Sequence, residues 1–243
     1  MCGRYVAAKD PAALAVEFDA VIDPGDDLPP DYNVAPTKPV HVVVDRDVEG
    51  SRTRTLEVAR WGLIPSWAKD PGMGSRLINA RAETVATKPA FRGAFGKRRC
   101  LVPADGYYEW YEPTEPGAPL GRSGKPLKQP FYIHPADGRS LPMAGLYEWW
   151  RDPVVAEGDA SAWRLTCTII TTEASDAVGR IHDRMPMTIA RSNWAAWLDP
   201  QLGAEEAGVL LAPATDITLE AYPVSTRVNS VRNNGVELVA PLA

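Results

Sequence analysis

Cysteine and histidine are both scarce in this sequence, with three residues of each among 243. An odd and sparse set of cysteines argues against a disulfide framework and agrees with a reducing compartment. Cys100 and Cys167 lie in apolar runs typical of strands, so we expect them to be core residues. The cysteines and histidines show no metal-ligand spacing, and the sequence therefore predicts no zinc site and no other cofactor.

Long apolar runs are also missing from the chain. No stretch approaches the ~20 residues that a membrane-spanning helix needs. The amino terminus also lacks the charged and then apolar pattern of a signal peptide. The sequence therefore predicts a cytoplasmic protein that makes no membrane contact. Its content of 45% hydrophobic and 23% charged residues is ordinary for a globular protein.

Basic residues are fewer than acidic ones, and the net charge of −5 argues weakly against a nucleic-acid partner. The distribution of charge argues the other way. Residues 17–31 carry six acids and no base, whereas residues 76–99 carry seven bases and the single acid Glu83. Segregated charge of this kind can form a local binding surface on an acidic protein. A solvated basic face is the plainer interpretation of the same pattern.

Many short strands, a few short helices and no strand–helix alternation predict an α+β fold. We expect antiparallel β-sheets to dominate, in a barrel-like form with short peripheral helices, and residues 1–243 to form one domain. Asp10 and Pro11 are the cap and first residue of a predicted helix. Strands are predicted at residues 40–45, 53–61, 99–103, 106–111, 131–134, 143–149, 164–172, 187–190 and 217–224. Further helices are predicted at residues 83–86, 89–95, 192–198 (capped by Ser192) and 204–211, and loops at 70–75, 112–129 and 151–162.

The second residue, Cys2, would carry two nucleophiles on adjacent carbons once Met1 is removed. An α-amine has a pKa near ~8 and a cysteine thiol near ~8.5, so each is partly reactive at neutral pH. Both can attack one aldehyde, because the amine forms an imine and the thiol then closes a five-membered thiazolidine ring. The alternative is that Cys2 is a small buried hydrophobe, the commonest role of a free cysteine.

Three other segments carry groups suited to proton transfer or anion binding. Glu109 stands in an aromatic strand on the same face as Tyr107, where burial would raise its pKa towards neutrality; a solvent-facing Glu is the alternative. His182 follows a predicted turn and suits proton shuttling, although a lone histidine is more often structural. Asn79 and Arg81 project to one side of an extended segment, so an amide and a phosphate-binding guanidinium would act together.

Flat apolar surfaces are offered by Pro36, Trp61 and Trp67, which stand in turn-rich segments. Such surfaces can stack on the unpaired bases of a single strand. A tryptophan in a proline-containing loop is more often a plug in the core. The sequence leaves both interpretations open.

Six motifs occur along the chain in a fixed order. They are Met-Cys-Gly-Arg-Tyr, Tyr-Asn-Val-Ala-Pro-Thr, Trp-Gly-Leu-Ile-Pro-Ser-Trp, Ile-Asn-Ala-Arg-Ala-Glu-Thr, Ala-Asp-Gly-Tyr-Tyr-Glu-Trp and Ile-His-Asp-Arg-Met-Pro. The series closely resembles the SOS-response-associated peptidase (SRAP) family, whose members shield abasic sites in DNA. The resemblance runs from residue 1 to about residue 234. The chain departs from it mainly in length, since residues 112–129 and 151–162 look expanded and residues 70–75 form a glycine-containing insert.

The resemblance implies a sensor of abasic sites in single-stranded DNA. Cys2, once Met1 has been removed by self-processing or by an aminopeptidase, would form a thiazolidine crosslink to the opened sugar, in a lyase-type reaction. Glu109 would assist opening of the sugar and proton transfer at the imine. His182 would act as acid and base on the hydroxyl of the opened sugar, and Asn79 would orient the amine of Cys2 or the sugar oxygen.

The resemblance also implies a DNA-binding surface on a monomer that joins the nucleoid when bound to DNA. Its predicted residues, for phosphates and bases, are Arg4, Pro36, Trp67, Arg81, Lys88 and Arg184. Two rival functions remain open. One is a thiol peptidase that uses Cys2 and His182 to cleave other peptides. The other is a reader of modified bases that binds without a covalent bond.

Overall fold

A computed structural model describes residues 2–22, 25, 27–48, 50–115, 117, 119–121, 124–174 and 176–242. Met1, on which the expectation of N-terminal processing falls, lies outside these residues. The described part has the predicted α+β character, with mainly antiparallel β-sheet and a few short helices. No helix in the described ranges is long and apolar enough to cross a membrane.

Most of the elements in the described part of the chain are strands. The strands are β1 (Tyr5–Ala7), β2 (Val21–Ile22), β3 (Asp31–Val34), β4 (Pro39–Val48), β5 (Ser51–Trp61), β6 (Asn79–Arg81), β7 (Arg99–Ala104), β8 (Gly106–Tyr111), β9 (Gln129–Pro135), β10 (Leu141–Arg151), β11 (Trp163–Glu173), β12 (Arg184–Pro186) and β13 (Leu219–Pro223). The α-helices are α1 (Pro11–Phe18), α2 (Arg92–Lys97), α3 (Asp176–Gly179), α4 (Trp194–Leu198) and α5 (Ala204–Val209).

Five strands close into a barrel. Antiparallel pairing joins β5 to β4, β4 to β7, β7 to β10 and β10 to β11. The ring is completed by a parallel pairing of β5 with β11, through Trp61 opposite Cys167. Further along β11, beyond this junction, β6 pairs in parallel with β11, which brings Asn79 opposite Ile169. The barrel-like form predicted from the strand pattern is therefore confirmed.

A second sheet has the strand order β13-β9-β8-β1-β3, and every pairing in it is antiparallel. It carries the amino-terminal segment, because β1 lies between β8 and β3 with Tyr5 opposite Tyr107. A buried cluster joins this sheet to the barrel and contains Cys2, Tyr107 and Trp61. Cys100 and Cys167 are also free, fully buried members of this cluster, as expected of core residues.

The local rules read from the sequence explain several of these elements. The carboxylate of Asp10 accepts a hydrogen bond from the Ala12 N–H at 2.8 Å, and Pro11 is the first helical residue of α1. Both facts match the predicted start of the helix. The predicted hairpin of β4 and β5 is also present, with Val43 opposite Leu56 in the core.

The connection from β5 to β6 is shaped by two glycines. Gly62 has φ +125°, and a Cβ on it would lie 2.6 Å from the carbonyl oxygen of Gly74. A side chain at position 62 would therefore strain the backbone and collide with Gly74. Gly74 belongs to a 3₁₀ helix, Pro71–Arg76, where an open loop was predicted. The close contact holds this helix against the end of β5 and sets the path into β6.

Four other local predictions are wrong. Residues 83–86 form turns instead of a helix, and α2 begins only at Arg92, after Pro89 has removed a backbone donor. The strand expected at 187–190 lies instead at Arg184–Pro186, because those residues take the edge of β11 opposite Thr171–Glu173. Ser192 caps no helix, since α4 follows a 3₁₀ turn and has no side-chain cap.

Candidate active site

Pairing between β1 and β8 fixes the position of Cys2. The Tyr108 N–H donates to the Arg4 carbonyl at 2.9 Å, and the register that pairs Tyr5 with Tyr107 continues towards Glu109. Cys2 has no exposed surface. Its carbonyl oxygen accepts a hydrogen bond from Nδ2 of Asn79 at 2.7 Å. Two predicted catalytic residues are therefore in direct contact, although 77 positions separate them in the sequence.

The thiol of Cys2 is held in its neutral form. Burial raises its pKa far above the ordinary range, and the nearby charge of Glu109 raises it further. A hydrogen bond from the backbone N–H of Arg4 acts in the opposite direction. The sulfur is therefore a protonated, shielded nucleophile that needs a proton acceptor when it reacts.

The carboxyl group of Glu109 is buried, with 3% of the residue exposed. Burial raises its pKa, and the charge of His182 partly counteracts that effect. One carboxylate oxygen, Oε2, lies 4.0 Å from Nε2 of His182. The solvent-facing alternative for Glu109 is excluded, and the group is poised to give or take a proton closer to neutral pH than an exposed Glu.

His182 lies in the turn between α3 and β12, half-buried beside Glu109. Its Nδ1 accepts a hydrogen bond from the backbone N–H of Arg184 at 2.9 Å. An Nδ1 that accepts this hydrogen bond leaves the proton of the neutral imidazole on Nε2, the atom nearer to Glu109. Nδ1 also lies 2.8 Å from a carboxylate oxygen of Asp183. That oxygen is an acceptor for Nδ1–H when the ring becomes charged.

Asn79 stands at the start of β6, where the parallel pairing with β11 holds it beside the barrel junction. Its Oδ1 is buried and has no hydrogen-bond partner among the described residues. A buried acceptor without a partner costs about 1–3 kcal/mol. This oxygen therefore favours a bound donor, and an amine at the Cys2 position is one.

Three of the predicted DNA-binding residues are exposed. Trp67 has 58% of its surface accessible, and Arg81 and Lys88 are also on the surface. Arg81 ends β6, two residues after Asn79, so it stands beside the catalytic candidates. Pro36 is half-buried near Trp61, since the next residue, Thr37, donates its N–H to the Trp61 carbonyl at 2.8 Å. Trp61 itself is a fully buried core residue.

The other two arginines predicted to bind DNA, Arg4 and Arg184, are held by hydrogen bonds and an ion pair within the protein. Nη1 of Arg4 donates to Oδ1 of Asn33 at 2.8 Å and to the Val228 carbonyl at 2.9 Å. Arg184 makes a two-point ion pair with Glu83, at 2.7 and 3.1 Å, and donates to the Thr171 carbonyl at 2.6 Å. Both are anchored before any phosphate arrives, and Glu83 offsets the charge of Arg184.

Not all of the basic side chains in residues 76–99 are exposed. Arg99 is buried and donates to four backbone carbonyls, those of Phe95, Trp197, Asp199 and Leu202. Arg98 forms an ion pair with Glu148 at 2.7 Å. The five bases left on the surface are Arg76, Arg81, Lys88, Arg92 and Lys97.

Sequence reasoning assigned no part to three residues of this region. Glu83 was visible only as the single acid in a basic segment, and its partner Arg184 is 101 residues away. Asn33 fixes Arg4, but nothing in the sequence links them. Tyr107 was placed on the face of Glu109, yet the alternation gave no reason to assign its hydroxyl a role. No cluster of three or more potential metal ligands occurs among the described side chains.

Comparison with known proteins gives consistent matches over nearly the whole chain. A family model described as SOS response associated peptidase (SRAP) matches residues 1–231. Abasic site processing protein YoqW of Bacillus subtilis (strain 168) is 38% identical, covering 98% of this chain and 99% of that protein. Abasic site processing protein HMCES of Gallus gallus is 36% identical, covering 88% of this chain and 66% of that protein. A crystal structure of a protein from Bacteroides thetaiotaomicron superposes with a TM-score of 0.80 at 26% identity, covering 100% of both chains.

Proposed function

The chain belongs to the SOS response associated peptidase family, and we propose that it senses abasic sites in single-stranded DNA and shields them by a covalent crosslink through Cys2. Relatives that are 36–38% identical are named abasic site processing proteins. The observation that carries the proposal is the hydrogen bond from Asn79 to Cys2, near the buried Glu109 and its half-buried neighbour His182. That arrangement suits chemistry at the amino end of Cys2.

The first step joins the α-amine of Cys2, freed by loss of Met1, to the aldehyde of the opened sugar. A C=N bond forms and one water leaves, so a proton must reach the departing oxygen. Glu109, with its raised pKa, supplies that proton and assists opening of the sugar ring. Oδ1 of Asn79 accepts a hydrogen bond from the amine and directs its lone pair at the carbonyl carbon.

The second step closes the ring. The Cys2 sulfur adds to the imine carbon, the π electrons of the C=N bond move to nitrogen, and the thiol proton ends on that nitrogen. The five-membered thiazolidine then masks the aldehyde. His182 holds the Nε2 proton towards Glu109 and exchanges protons with the hydroxyl of the opened sugar, in both crosslinking and reversal.

DNA is held by surface residues around this centre. Arg81 and Lys88 bind phosphates that flank the lesion, and the exposed ring of Trp67 stacks on a neighbouring base. Pro36 supports the base on the other side. Arg4 and Arg184, already anchored by Asn33 and Glu83, fix the strand near Cys2. Such a surface reads the backbone and the bases' flat faces without selecting a sequence.

A denaturing gel tests the proposal directly. Purified protein, shown by mass to lack Met1, is mixed with a single-stranded oligonucleotide carrying one abasic site, and the mixture is boiled in detergent. We expect a shifted protein–DNA band with this oligonucleotide and none with the undamaged sequence. Absence of the band for the processed wild-type protein would overturn the proposal.

Two variants separate the proposal from its rivals. An alanine inserted before Cys2 removes the amine from the reactive position, so it should abolish the shifted band, whereas a thiol peptidase would keep its activity. Cys2→Ala tests the non-covalent reader. A non-covalent reader would still bind DNA after this substitution, and neither the wild-type protein nor Cys2→Ala would form a heat-resistant band.

A further inference from the structure

Two consecutive tyrosines in β8 differ in the hydrogen bonding of their hydroxyl groups. Tyr108 is fully buried, and its hydroxyl donates to the Tyr32 carbonyl at 2.9 Å. Tyr107 is 1% exposed, and its hydroxyl is buried without a hydrogen-bond partner among the described residues. Phenylalanine would fill the same space without that cost, since an unpaired buried hydroxyl is destabilising. The Tyr107 hydroxyl therefore does not serve the stability of the free protein.

Tyr107 lies in the same part of the core as the sulfur that we propose to react. Alternation along β8 puts it on the same face as Glu109, and the same buried cluster contains Tyr107 and Cys2. Burial raises the pKa of Tyr107, and the charges of Cys2 and then Glu109 raise it further. Tyr107 also lines a cavity of about 440 Å³, together with Val178 and Met185, which precede and follow His182 in the chain.

We propose that the Tyr107 hydroxyl donates a hydrogen bond to the Cys2 sulfur as that sulfur adds to the imine, which makes Tyr107 a catalytic residue for ring closure. This inference rests on the proposed function. In the step it assists, the C–S bond forms from a sulfur lone pair, the C=N π electrons move to nitrogen, and the thiol proton is transferred to that nitrogen. Tyr107 keeps its own proton throughout.

The need for this donor follows from the surroundings of the sulfur. The thiol is fully buried, and burial and the charge of Glu109 both disfavour negative charge on sulfur. The Arg4 backbone N–H supplies one hydrogen bond to it. A second donor, aimed at the charge that develops during addition, acts only in that step. Imine formation at the amine does not use it.

The experiment compares wild-type protein with Tyr107→Phe and the matched control Tyr108→Phe, on the same abasic oligonucleotide. Each time point is divided into two samples. Borohydride in the first reduces and traps the imine, and so counts all covalent complex. Heating in detergent without borohydride counts only the ring-closed adduct. We expect Tyr107→Phe to form the imine at the wild-type rate and to close the ring about tenfold more slowly, the effect of losing one hydrogen bond to a charged group.

The control and a stability measurement complete the test. Tyr108→Phe should close the ring at the wild-type rate but unfold at a lower temperature, because its carbonyl partner Tyr32 loses a donor. Tyr107→Phe should unfold at the same or a higher temperature. Ring closure at the wild-type rate in Tyr107→Phe, or a lower unfolding temperature for that variant, would overturn the inference and leave the crosslinking function standing. Failure of wild-type protein to form any adduct would instead overturn the proposed function.

Discussion

Nε2 of His182 lies 4.0 Å from Oε2 of Glu109, and the two residues come from different sheets. Glu109 belongs to β8 of the five-stranded sheet, whereas His182 precedes β12 at the edge of the barrel sheet. The proton transfer that we propose for them therefore depends on how the two sheets pack. The amide of Asn79, which reaches Cys2 from the barrel side, depends on the same packing.

Glu109→Gln should raise the stability of the protein at neutral pH and lower its crosslinking rate. The raised pKa of Glu109 means that the folded protein keeps a proton that the unfolded chain, with a pKa near ~4.3, has already released. The stability of the wild-type protein therefore falls as pH rises through the unfolded and then the folded pKa. We expect the variant to unfold at a higher temperature than wild type at pH 7.5, with little difference at pH 4. Its crosslinking rate should drop about 100-fold or more.

Thermal unfolding across this pH range, with gel time courses, measures both effects. Glu115→Gln is the control, because that carboxyl is fully exposed in a surface segment. A variant Glu109→Gln that is less stable than wild type at pH 7.5 would contradict the burial argument.

His182→Asn and His182→Gln separate the two ring nitrogens. Asparagine can place an acceptor near the position of Nδ1 and so keep the hydrogen bond from the Arg184 N–H, but it has no group at Nε2. Glutamine can place an N–H near Nε2, although it cannot exchange a proton. We expect both variants to lose about 100-fold in crosslinking or reversal rate, with asparagine retaining the wild-type unfolding temperature. Wild-type rates in both variants would make His182 a structural residue.

Arg81→Gln should reduce the salt dependence of DNA binding. Each lysine or arginine that neutralises a phosphate of single-stranded DNA contributes about −0.7 to the slope of log K against log salt. We expect the variant to lose about that much slope on an abasic-site analogue that cannot form an imine. Arg139→Gln is the control, since Arg139 is exposed in the β9–β10 turn and paired with Asp137. Equal slopes in the two variants would remove Arg81 from the DNA surface.

Arg99→Met should destabilise the fold without changing a residue of the candidate active site. The guanidinium is buried and serves four backbone carbonyls that no methionine can satisfy. We expect a loss of about 3–5 kcal/mol, the usual cost of breaking a buried charged network. For a chain of this size that is a fall of about 10 °C or more in Tm. Arg92→Met, exposed in α2, should change Tm by about 2 °C at most.

Local patterns predicted the elements better than the contacts between them. The start of α1 and the hairpin of β4 and β5 follow from neighbouring residues, so Asp10 and Val43 could be placed from the sequence. The edge position of β12 could not, because Arg184–Pro186 and residues 187–190 compete for β11 and only the tertiary fold decides.

The site shows the same division. The chemistry of Cys2, Glu109 and His182 is intrinsic to those side chains, and the motif series pointed to them together. Whether a side chain is held by an ion pair or buried in the core does not follow from its own chemistry. The anchoring of Arg184 by Glu83, and the burial of Arg99 in a segment that looked like a basic surface, depend on chain crossings that no local pattern encodes. The candidate reactive groups could therefore be named from the sequence, whereas their burial and their partners depend on the fold.

A sulfur that is fully enclosed and kept protonated is also a poor target for peroxide and for alkylating agents, which consume thiolates. We therefore expect the Cys2 thiol of the folded protein to react slowly with both classes of reagent, and to react faster once the fold is opened.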